Sequence, residues 1–153
     1  MSFRQRVVIL AVICVSPSLI YGSETALPAT EIYEKVLPQM CAVLALSDTG
    51  EELGLGSGFV WDKNQVVTNR HVVAGAATIR LDCNEVRATA RGILRHSESI
   101  DLVVLEAELG IPRTLEVRNS AVKPGEEVYA IGNPLGLSNT ITSGIVGGVR
   151  DID

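Results

Sequence analysis

From Cys41 onward the apolar residues come in short blocks separated by turn formers. Blocks of four to eight residues are too short for ordinary helices and fit strands. CAVLAL (41–46), GSGFVW (56–61), QVVT (65–68), ATIRLD (77–82) and DLVVLE (101–106) are all of strand length. EVRATARGIL shows alternation most clearly. Val86, Ala88 and Ala90 fall on one face and Arg87, Thr89 and Arg91 on the other, so the stretch reads as one half-buried strand. SDTGEE links the first two strands and DKN the next pair. KPGE (123–126) puts proline and glycine at the centre of a type II turn. Many short strands at even spacing predict an all-β barrel or sandwich. EVYAIG and TITSGIVGGV add two strands after a linker-like segment, 106–122. Two strands cannot close a second barrel, so the chain reads as cut short.

The N-terminus follows other rules. MSFRQR carries two arginines, VVILAVICV is unbroken and apolar, and SPSLIYG brings proline and small residues. That layout predicts a secretory signal peptide over residues 1–22, with an apolar core too short to span a bilayer as a lasting anchor and no membrane anchor left once it is cleaved. TEIYEKVLP then predicts a short helix capped by Thr30 and ended by Pro38. Removing Arg4 and Arg6 leaves 11 basic against 18 acidic side chains, a net of −7. Such a surface repels phosphate backbones, which argues against nucleic acid as a partner. Export leaves Cys41 and Cys83, which pair in an oxidising compartment only if the fold brings them together; the sequence leaves both outcomes open. No C-x-x-C or H-x-x-x-H spacing occurs, and neither a metal nor another cofactor is expected.

Two residues stand out for chemistry. His71, in VVTNRHVVAGA, puts a titratable ring at the end of an apolar strand. Asp101, in SESIDLVVLEAE, opens a strand whose next four residues are apolar, where a carboxylate loses hydration and needs a donor. Alone, each reads as a turn or loop residue. Together they fit general-base catalysis, in which a buried carboxylate accepts one imidazole N–H and fixes the tautomer of the other nitrogen.

Four stretches in order carry a family resemblance. GLGSGFVW (54–61), VVTNRHVV (66–73), DLVVLEA (101–107) and AIGNPLGLSNTITSGIVGGV (130–149) are similar to the conserved blocks of trypsin-like serine proteases of the Deg/HtrA group. The resemblance spans roughly residues 40 to 150. It implies a trypsin-like β-barrel, with a signal peptide at 1–22, an N-terminal segment with a short helix at 23–39, a first barrel at 40–118, and a linker plus the start of an incomplete second barrel at 119–153. It implies His71 as general base and Asp101 as the carboxylate that orients it. The substrates implied are polypeptides, unfolded proteins among them, and the location periplasmic or secreted.

The family's nucleophile sits in a G-N-S-G-G-P block, which these 153 residues do not contain. Ser57 in LGSGF and Ser143 in ITSGI lack that setting and are not assigned its role. The expectation is an exported serine endopeptidase represented by a chain that is inactive by itself. The alternative is a secreted pseudoprotease or polypeptide-binding module that uses an open strand edge. A nucleotide loop in GLGSG is disfavoured, because the spacing is G-x-G-x-G and strand-like FVW follows it. Those glycines read instead as permitting close strand packing.

Overall fold

In the computed structural model, the residues described are 12–13, 27–112, 115, 118–132 and 140–149. The expected signal peptide lies outside them apart from strand β1 (Val12–Ile13), as do residues 133–139 of the fourth family-like block. Helix α1 (Ala29–Val36) is followed by a 3₁₀ turn (Leu37–Gln39) and strands β2 (Met40–Leu46), β3 (Glu52–Asp62) and β4 (Gln65–Asn69). A second 3₁₀ turn (Arg70–Val73) leads to β5 (Thr78–Cys83), β6 (Val86–Thr89), β7 (Gly92–Ser97) and β8 (Leu102–Glu106). Strands β9 (Glu127–Gly132) and β10 (Thr140–Ile145) come last.

Two local expectations are corrected. Pro28, not Thr30, is the N-cap of α1; Thr30 already lies in the first turn and no side chain caps the helix. A proline cap is admissible because its missing N–H is one the helix end leaves unbonded anyway. The single strand expected over EVRATARGIL is two strands, β6 and β7, interrupted at Ala90–Arg91. KPGE turns as expected, with Gly125 at φ +89° and the Glu126 N–H bonded to the Lys123 carbonyl at 3.1 Å.

The interruption follows from the sheet topology. Seven antiparallel strands are ordered β6-β5-β2-β3-β4-β8-β7, so the chain from β6 to β7 joins opposite ends of the sheet. The Ala90 N–H bonds the Ile79 carbonyl on β5 and the Arg91 N–H bonds the Glu106 carbonyl on β8. One run thus pairs with β5 in its first half and with β8 in its second, and the sheet closes into a barrel.

Inward positions follow the alternation. Cys41 and Val43 of β2 pack with Val60, Val66, Leu81, Cys83, Val103 and Leu105 in one core, and Ala45, two positions on, is also fully buried. Ala107 and Leu109 join that core, so the segment after β8 belongs to the barrel for its first few residues. Cys41 and Cys83, on neighbouring strands, form a disulfide with a Cα–Cα distance of 4.0 Å and both residues fully buried. A smaller sheet, β1-β9-β10, and α1 cover the outer face of β2 and β3. The contact consists of Ile32, Val36, Met40, Tyr129 and Ile131, with Phe59 packed alongside.

The glycines of GLGSG serve packing. A Cβ on Gly54 would lie 2.6 Å from the Val72 carbonyl oxygen, and one on Gly56 would lie 2.6 Å from Val72 Cγ2. Only bare backbone lets β3 pass so close to the turn that holds Val72. Gly54→Ala, which meets backbone that cannot rotate away, is expected to cost about 1–3 kcal/mol in urea unfolding. Wild-type stability of that variant would show the approach to be looser than described.

Candidate active site

Strand β4 ends at Asn69, and the chain turns at once through Arg70–Val73, lifting His71 out of the sheet at its rim. The turn is anchored by Val72 and Val73, both buried in the barrel core. On the adjacent strand, Asp101 is the last residue before β8 and sits at φ +52°. Aspartate tolerates this left-handed region better than most residues, yet the conformation needs external support.

The support comes from the histidine-bearing segment. The Arg70 N–H donates to the Asp101 carbonyl at 3.1 Å, and Asn69 Nδ2 donates to the same oxygen at 3.1 Å. The His71 backbone N–H donates to Asp101 Oδ1 at 3.0 Å, and His71 Nδ1 pairs with Asp101 Oδ2. Asn69 Nδ2 also reaches Oδ2 at 3.3 Å. Outside this cluster, Arg70 and Glu98 form an exposed ion pair across the same two turns. Such exposed pairs contribute little.

The two residues singled out in the sequence, thirty positions apart, therefore meet. One expectation about them is corrected: the carboxylate is not buried. The His71 and Asp101 side chains are 40% and 42% exposed, because they stand on the barrel rim and not within its core. Partial burial still pushes the Asp101 carboxyl up, but the hydrogen bonds from the His71 ring and backbone, the ring's charge and the Asn69 amide outweigh it. The net position is below the usual carboxylate value.

The sign of this effect gives a test. A carboxyl held low contributes stability that is present above the unfolded carboxylate pKa and is lost as pH falls through the folded value. Asp101→Asn is expected to flatten the dependence of unfolding free energy on pH below about 4. Solvent screening keeps the effect small. Equal slopes for the two proteins in urea titrations at several pH values would contradict the coupling.

With Nδ1 facing a carboxylate, the ring presents Nε2 as the proton acceptor, which is the arrangement of a general base. Among the described residues no serine hydroxyl bonds the ring. Ser57 lies on β3, where a Cβ on Gly132 would come within 2.8 Å of its Oγ, and Ser143 lies exposed on β10. Asn69 escaped the sequence reading. Its signal was an amide at the end of a buried strand, two positions before the histidine.

Comparison with known proteins points the same way. A family model for the trypsin-like peptidase domain matches residues 56–152. A chloroplastic protein named Protease Do-like 5 from Arabidopsis thaliana is 34% identical over 150 residues, 88% of this chain and 44% of its own length. A protein named "Probable periplasmic serine endoprotease DegP-like" from Hahella chejuensis is 39% identical over 98 residues, covering 63% of this chain and 21% of its own length. The crystal structure of a serine endoprotease from Yersinia pestis superposes with a TM-score of 0.69 at 27% identity, over 80% of this chain and 45% of that one. This chain spans less than half the length of each of these relatives.

Proposed function

Since this chain belongs to the trypsin-like peptidase family, with relatives of the Deg/HtrA kind, we propose that it supplies the base-and-carboxylate half of an exported serine endopeptidase acting on polypeptides. The observation that carries the proposal is the paired contact of Asp101 with His71, one carboxylate oxygen on ring Nδ1 and the other on the backbone N–H. Two anchor points fix the ring's tautomer as well as its position.

In the reaction, His71 Nε2 takes the proton from a serine hydroxyl as that oxygen attacks the peptide carbonyl. Asp101 stabilises the imidazolium, and the ring then gives the proton to the departing amine. Water then attacks the acyl carbonyl as the ring takes its proton, the ester bond to the serine oxygen breaks, and the ring returns the proton to that oxygen as the carboxylic acid product departs. The serine and the backbone donors for the oxyanion belong to a block that residues 1–153 do not contain. We therefore expect the 153-residue chain alone to hydrolyse no peptide, since the members of a triad act as a unit.

Export is supported by the arginine-led apolar leader and by a disulfide of the kind that persists in oxidising compartments. The periplasmic relative agrees with it. A fluorophosphonate probe tests the division of labour. The 153-residue chain should remain unlabelled, whereas a chain carrying a downstream G-N-S-G-G-P block should label at that serine. Labelling of any serine within residues 1–153 would refute the assignment.

A further inference from the structure

Asn69 is one of three buried polar residues among those described, with Gln39 and Thr68. The other two serve the scaffold: Gln39 Oε1 accepts the Leu115 N–H at 3.0 Å, and Thr68 Oγ1 donates to the Ser57 carbonyl at 2.8 Å. Asn69 instead faces the site. It is 5% exposed, and its amide nitrogen lies 3.1 Å from the Asp101 carbonyl and 3.3 Å from Asp101 Oδ2.

We propose that Asn69 is a positioning residue that locks the Asp101 carboxylate against the His71 ring by bridging the aspartate's peptide carbonyl and its side chain. The inference rests on the base–carboxylate reading above and names a further residue for it.

The chemistry explains why an amide is required. One carboxamide nitrogen carries two N–H groups, so a single atom can donate to two oxygens at once. A hydroxyl has one proton to give, and a carboxylate has none. Bridging the carbonyl and Oδ2 restrains both the left-handed backbone of Asp101 and the rotation of its side chain. Without the bridge, the half-exposed carboxylate keeps only contacts made by His71 itself and can turn toward water. Burial of Asn69 makes the clamp rigid, because Thr68 and Asn69 are enclosed at the end of β4 and the amide has little room to swing. Arg70 and Glu98, the nearest charged pair, bond one another across the turns and leave the carboxylate to the amide.

The test is NMR on the full 153-residue chain, which needs no catalytic turnover. The Asp101 carboxyl carbon is titrated, and exchange of the His71 Nδ1 proton with water is followed, in wild type, Asn69→Leu and Asn69→Asp. Leucine is close in size and donates nothing; aspartate keeps the shape and adds a like charge. Asp101 is expected to titrate higher in both variants, more so with aspartate. The ring proton should exchange about tenfold faster, the loss of one hydrogen bond to a charged group. Scaffold effects are separated by the urea midpoint, and Asn69→Asp serves if Asn69→Leu does not fold. An Asp101 titration and a ring exchange rate unmoved in a folded variant overturn the assignment. Asp101→Asn is the control. If it abolishes slow ring exchange while the Asn69 variants do nothing, the clamp is wrong and the base–carboxylate reading stands. If the ring proton is indifferent to Asp101→Asn, that reading itself fails.

Discussion

Replacing Asp101 by asparagine, in a chain that carries the nucleophile block, is expected to lower kcat on a denatured polypeptide by about 10⁴-fold with little change in fold. The reason lies in the two contacts of the carboxylate. Oδ1 accepts the His71 backbone N–H and Oδ2 faces ring Nδ1, so both oxygens must be acceptors. An asparagine presents one acceptor and one donor. Keeping the backbone contact would aim its N–H₂ at the ring, which can then meet it only with an unprotonated Nδ1. The proton moves to Nε2, where the base needs a lone pair, and the imidazolium of the transition state loses its counter-charge. The loss should fall on kcat and kcat/KM together, because the interaction strengthens only as the ring gains a proton. A loss of less than tenfold would mean that some other group orients the ring.

Reduction of the Cys41–Cys83 disulfide is expected to remove about 4 kcal/mol of stability, by the loop-closure estimate for residues 42 apart in sequence. In urea this lowers the unfolding midpoint by about 2 M. The bond joins β2 to β5, and β2 is also the strand on which α1 and the smaller sheet pack. Loosening it therefore disturbs both faces of one strand. Because both residues are fully buried, the bond should resist mild reductant in the native state and yield only as the barrel opens. Equal urea midpoints for the wild type and a Cys41→Ala/Cys83→Ala protein would show that the covalent link contributes no net stability.

The strands were legible because half-buried strands write their burial into alternation. Cys41, Val43 and Ala45 are buried as spacing alone implies, and β9 matches EVYAIG residue for residue. The interruption at Ala90–Arg91 was not legible. The alternation Val86, Ala88, Ala90 runs into it unbroken, and the strand is divided by a change of partner, from β5 to β8, set by barrel closure. The cysteine pairing was hidden for the same reason, since register between β2 and β5 decides it. At the site, residue type and order pointed to His71 and Asp101, and the fold brings them into contact. Their half-exposure was not readable, because it depends on where the barrel rim ends. Asn69 was overlooked since an amide in a sequence does not reveal which oxygens it will meet.

The contact between imidazole and carboxylate is most directly tested by a ¹³C titration of the Asp101 carboxyl carbon in the wild-type chain and in His71→Ala. The pairing predicts a wild-type midpoint below the ordinary carboxylate value, with the backbone N–H and the Asn69 amide retaining only part of that depression once the ring is gone. The midpoint should therefore rise in His71→Ala. An Asp101 that titrates as a free carboxylate in the wild type, with the same midpoint in the variant, would contradict it.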